Sequence, residues 1–91
     1  MKTFSATREQ RDELEGLAYW IADRAGSRER GELDEHEDSR TDDTIRAIFD
    51  RLDRLTVPYW VQNAVCRWAE DWRRTMRESL RDAMRAKQIV F

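Results

Sequence analysis

The chain has ninety-one residues, 40% of them charged, a formal net charge of −2, three glycines and one cysteine, a composition that fits one small helical domain. A lone cysteine excludes an intrachain disulfide, no stretch approaches a membrane span, and Met1–Arg11 lacks the apolar run of a signal peptide, so a cytoplasmic, non-membrane protein is expected. The slightly acidic balance argues against the broadly basic surface usual in nucleic-acid-binding domains.

The first helix is expected over residues 7–25. Thr7 and Gln10 have capping-box spacing, and Leu14, Leu17, Ala18, Ile21, Ala22 and Ala25 recur on one face. Trp20 and Tyr19 flank that face, and Gly26 is expected to stop the helix.

Residues 27–40 lack periodicity and read as a loop. Charge concentrates here: residues 29–43 hold eight acids and two bases, net −6, whereas residues 1–28 are neutral and residues 44–91 are net +4. Glu32, Asp34, Glu35, Glu37 and Asp38 are therefore candidate partner-binding residues, offering a field that attracts a basic surface. A solvated linker is the plainer account of the same run.

The second helix is expected over residues 41–56, with Asp42 and Asp43 at its dipole-favoured start. Ile45, Ile48, Phe49, Leu52 and Leu55 form its apolar stripe, and Pro58 ends it.

A third helix is expected to run without interruption over residues 58–87, roughly 45 Å at about 1.5 Å per residue. Val61, Val65, Trp68, Trp72, Met76 and Ala83 share one face, with Trp68 and Trp72 placed in the core. Arg67, Arg74, Arg77, Arg81 and Arg85 share the opposite face. Arg74, Arg77, Arg81 and Arg85 are candidates for contacting a partner or a phosphate backbone; acids interrupt the stripe, and ion pairs on a solvated face are the plainer account of it. The shorter first and second helices leave the end of the third uncovered, so Met76, Leu80 and Met84 are candidate interface residues and a homodimer or a docked partner is expected. The fold class is thus all-α, a small three-helix bundle with a long C-terminal helix and an acidic loop between helices one and two.

Chemistry-bearing patterns fail on their spacing. His36-Glu37-Asp38-Ser39-Arg40 lacks the second histidine of a zinc-protease helix. Asp34, His36 and Asp38 alternate like a calcium loop, but Ser39 and Ile45 stand where glycine and the bidentate glutamate belong. Gly26 and Gly31 have phosphate-loop spacing, yet Glu32-Leu33 follows where Lys and Ser or Thr are required. His36 would have to leave an acidic loop to reach Cys66, which reads as a small core hydrophobe. No catalytic residue, metal site or cofactor is expected.

The expected function is a non-enzymatic protein-binding module, a small adaptor or inhibitor. By analogy of type, short acidic helical proteins of phage and mobile elements block host machinery, CRISPR systems included. The alternative is a small nucleic-acid-binding protein using the Arg face of the third helix.

Overall fold

The computed structural model describes residues 2–31 and 35–91, with only the backbone of Glu35 and Asp38. The fold is mostly helical: β1 (Phe4–Ser5), α1 (Arg8–Glu29), α2 (Glu35–Arg54), α3 (Tyr59–Glu70), α4 (Trp72–Thr75), α5 (Leu80–Ala86) and β2 (Ile89–Val90).

α1 begins at the expected capping box. The Gln10 amide donates to Thr7 Oγ1 at 3.2 Å and the Thr7 amide to Gln10 Oε1 at 2.8 Å. Gln10 Nε2 also donates to the Leu55 carbonyl at 2.8 Å, fastening the start of α1 to the end of α2. Leu14 and Leu17 are fully buried. Arg51 Nε reaches Glu13 Oε1 at 2.9 Å, a second tie between these helices.

Gly26 does not stop α1. The helix runs through it to Glu29 and ends where Gly31 takes a left-handed φ of 69°, the conformation glycine adopts without strain. Gly26 serves packing instead: a Cβ there would lie 3.2 Å from Trp72 Cζ2.

The expected 27–40 loop is also shorter than the sequence suggests. α2 starts at Glu35, six residues before Thr41. Acids in its first turns favour this extension through the helix dipole. The hydroxyls of Thr41 and Thr44 donate to the carbonyls of Glu37 and Arg40, four residues back. Ile45, Ile48 and Leu52 are buried as the stripe requires, with Phe49 and Leu55 packed beside them. Thr56, at a φ of 58°, turns the chain out of α2, and extended Pro58 caps α3.

The largest departure is the third helix, which breaks into α3, α4 and α5. Asp71 leaves helical geometry at φ −98° and ψ 19°. Thr75 Oγ1 lies 3.2 Å from the carbonyls of both Trp68 and Asp71. Ser79 then starts α5, its hydroxyl accepting from the Asp82 amide at 3.1 Å, and Trp68 Nε1 donates to the Glu78 carbonyl at 3.2 Å. The chain thus turns back on itself. β2 then pairs in parallel with β1, Phe4 opposite Ile89 and Ser5 opposite Val90.

Burial explains the break. A continuous helix would leave Met84 and Ile89 at an uncovered end, whereas both are at 0% exposure. Fully burying a side chain of this size contributes about 1.5–3 kcal/mol, which favours the turns at residues 71–79 over a straight helix. The expected three-helix bundle with one long C-terminal helix is therefore corrected to α1, α2 and α3 around one core, closed by α5 and a two-stranded parallel pair. No helix among the described residues is long and apolar enough to cross a membrane.

Candidate functional site

Three surface features bear on function: the acidic segment, the arginines of residues 67–85, and a cleft the sequence did not announce. Of the acidic candidates, Glu32 and Asp34 lie outside the described residues. Glu35, Glu37 and Asp38 fall in the first turn of α2, on a helix and not on the expected loop, and Glu37 is exposed. His36 is exposed, with its Nε2 3.4 Å from Arg40. From Glu35 to Thr44, α2 buries no described residue; Ile45 is its first.

Charge at the neighbouring helix ends is partly paired. Glu29 at the end of α1 meets Arg73 Nη1 at 2.6 Å. Asp42 pairs with Arg24.

The arginine stripe does not survive the break. Arg67 lies in α3, Arg74 in α4, Arg77 in the link that follows, and Arg81 and Arg85 in α5. All are exposed, but no single helix face carries them, and the rigid phosphate-tracking geometry of the alternative function goes with it.

The expected apolar interface is also redistributed. Met84 is a core residue. Leu80 is half-buried, and only Met76, 67% exposed, stands in solvent as anticipated. The patch on which a homodimer rested is therefore absent in that form. Trp68 and Trp72, expected in the core, are each only half-buried: Trp68 packs against the core from α3, and Trp72 follows the turn at Asp71.

Together they form a cleft of about 430 Å³ with Ala18, Tyr19, Ala22, Gly26 and Leu80, edged by Glu15, Asp23 and Arg30. Its volume falls within the range of ligand-binding clefts, about 300–1,000 Å³. Glu15, Tyr19 and Asp23 follow one another at four-residue spacing, so they make an acid–aromatic–acid row along one edge. Trp72 Nε1 is buried without a hydrogen-bond partner among the described residues, a donor whose desolvation costs about 1–3 kcal/mol. Sequence periodicity placed Tyr19 at the margin of the α1 core face. Only the return of residues 72–80 gives it facing neighbours.

Cys66 sits half-buried on α3, beside a hollow lined by Ile21, Phe49 and Glu70 among others. Burial first, and the Glu70 carboxylate second, push its thiol up to about 11. At pH 8 the thiolate fraction is roughly one in a thousand, which suits a packing residue and not a nucleophile. Iodoacetamide should alkylate the folded protein at pH 8 roughly a hundredfold more slowly than the urea-unfolded chain. Its rate should keep climbing through pH 10; a plateau near pH 9 would show an ordinary exposed thiol. Because the folded state holds the raised value, this group's contribution to stability is intact below about pH 9 and is lost as pH rises toward 11.

Among the described residues, no group of three or more His, Cys, Asp and Glu is placed to hold a metal ion. No family model matches the chain, and no curated protein sequence or solved structure matches it either.

Proposed function

We propose that this domain is a non-enzymatic protein-binding module that presents an acidic helical arm to a basic surface on its partner. The support is the course of α2, which stays helical for ten residues, Glu35 to Thr44, and among its described side chains first buries Ile45. Those turns contribute no fully buried described side chain, and Asp42 pairs with Arg24 of α1. They hold acids on a scaffold stiffer than a loop, and a fixed acidic field raises the encounter rate with a cationic surface. Acids so arranged stand in for phosphates, and a partner's nucleic-acid groove is the kind of site they would occupy. Inhibition of host machinery by a phage or mobile-element protein is the biological role this surface fits.

The test uses immobilised nona-arginine and immobilised heparin as opposite probes. Wild type is expected to be retained on nona-arginine at low salt and to pass through heparin at physiological salt. Changing Asp34, Glu35, Glu37 and Asp38 to Lys should abolish the first retention. Each substitution near the helix start loses a dipole contribution of only about 0.3–1 kcal/mol, so the domain should still fold, as circular dichroism would show. Retention of wild type on heparin with a steep salt dependence would overturn the proposal in favour of nucleic-acid binding. Unchanged nona-arginine retention by the quadruple variant would overturn the role of the arm.

A further inference from the structure

The aromatic cleft between α1 and the α3–α5 segment has no role in the arm's electrostatics, yet its chemistry is selective. One edge is the row Glu15, Tyr19 and Asp23 on α1; the facing wall is Trp68, Trp72 and Leu80. Tyr19 is 66% exposed, the Asp23 side chain is open to solvent, and Glu15, half-exposed, lies 4.0 Å from Arg11 Nε in an exposed pair at the distance limit of an ion pair. The two carboxylates stand eight residues apart on one helix, roughly 12 Å along its axis, with an aromatic ring between them.

Arg30 of the same chain lines the cleft beside Trp72. Arg30 Nη1 and Trp72 Cζ2 each lie 3.2 Å from the position a Cβ on Gly26 would occupy, so a guanidinium and an indole share the space that glycine leaves open. Ring faces attract guanidinium groups, more strongly when water is excluded. Carboxylates at the rim add charge of the sign that draws a basic group.

We propose that this cleft docks a short basic–apolar–basic segment of a partner protein, with an aliphatic side chain between Tyr19 and the two tryptophans and flanking arginines or lysines at Glu15 and Asp23. This rests on the protein-binding function proposed above and adds a second contact, of defined chemistry, to the acidic arm. An extended segment fits the spacing. Side chains two apart point the same way at about 3.3 Å per residue, so residues i and i+4 stand about 13 Å apart with i+2 between them.

The probe is the peptide acetyl-Arg-Ala-Leu-Ala-Arg-amide, with counterparts carrying Gln or Glu in place of both arginines. It is titrated into the uniformly nitrogen-15-labelled protein at 150 mM salt, and the indole N–H resonances of the four tryptophans are followed. The expected result is saturable movement of the Trp68 and Trp72 indoles by the Arg peptide, at least about tenfold weaker binding of the Gln peptide, and none of the Glu peptide. A Tyr19→Ala/Asp23→Lys variant changes only exposed positions and should melt like wild type while losing about tenfold in affinity. No movement of Trp68 and Trp72 at millimolar peptide, movement confined to Trp60, or equal affinity for the Gln or Glu peptide would overturn the proposal. The variant lysine-substituted at Asp34, Glu35, Glu37 and Asp38 separates the two ideas. It should keep the peptide-induced shifts, so failure of the arm on nona-arginine leaves the cleft standing, and failure of the peptide leaves the arm standing.

Discussion

Met84→Ala should lower the unfolding free energy by about 2–5 kcal/mol, whereas Met76→Ala should change it by less than about 0.5 kcal/mol. On one uninterrupted helix these residues, eight positions apart, would lie near each other at the same uncovered end and respond alike. The turn at residues 71–79 separates them. Met84 is fully enclosed in the core, and Met76 stands in solvent on the outside of that turn. Truncating Met84 removes its transfer free energy and leaves a hole that neighbours fill only partly. Urea denaturation of the two variants is the measurement. Equal midpoints for both would mean that α5 does not fold back.

Ile89→Ala should cost about 2–5 kcal/mol, with Val90→Ala near zero. The pair tests a feature with no signal in the sequence, a parallel two-stranded ladder of two residues each. Successive side chains of a strand point to opposite sides, and Ile89 is accordingly fully buried while Val90 is 54% exposed. The Phe4 amide donates to the Gln88 carbonyl at 2.9 Å and the Ala6 amide to the Val90 carbonyl at 2.8 Å. These bonds persist in both variants, so a difference between them reads side-chain burial alone. If both variants melted together near wild type, the strand pair would not close the core.

Much of the fold was legible because it is local. The Thr7–Gln10 box and the stripes on α1 and α2 are set by periodicity and short-range hydrogen bonds, and each fell where expected. The errors share one cause. Gly26 resembled a helix stop because nothing in the sequence says that a tryptophan forty-six positions later needs its missing Cβ. Residues 58–87 resembled one helix because they contain no glycine and no proline after Pro58. The break there is made by the Ser79 cap, by the Thr75 and Trp68 side chains bonding to backbone carbonyls, and by the gain from burying Met84 and Ile89. Of the candidate site residues, the acids were singled out by charge alone, and the helical backbone of Glu35, Glu37 and Asp38 was not foreseen. The cleft was missed because its two walls meet only after that break.

The β1–β2 pairing has a consequence for how the domain is made. Its partners, Phe4 and Ile89, are separated by nearly the whole described chain. During synthesis α1, α2 and α3 can associate as soon as they clear the ribosome, but the seat for Ile89 and Met84 stays vacant until α5 and β2 have followed them. Phe4 and Ala6 meanwhile carry amides with no strand to receive them, and the inner faces of α1 and α3 remain wet. The nascent protein therefore passes through an interval of translation in which its principal helices are docked and its core is unsealed, and the seal waits for α5 and β2.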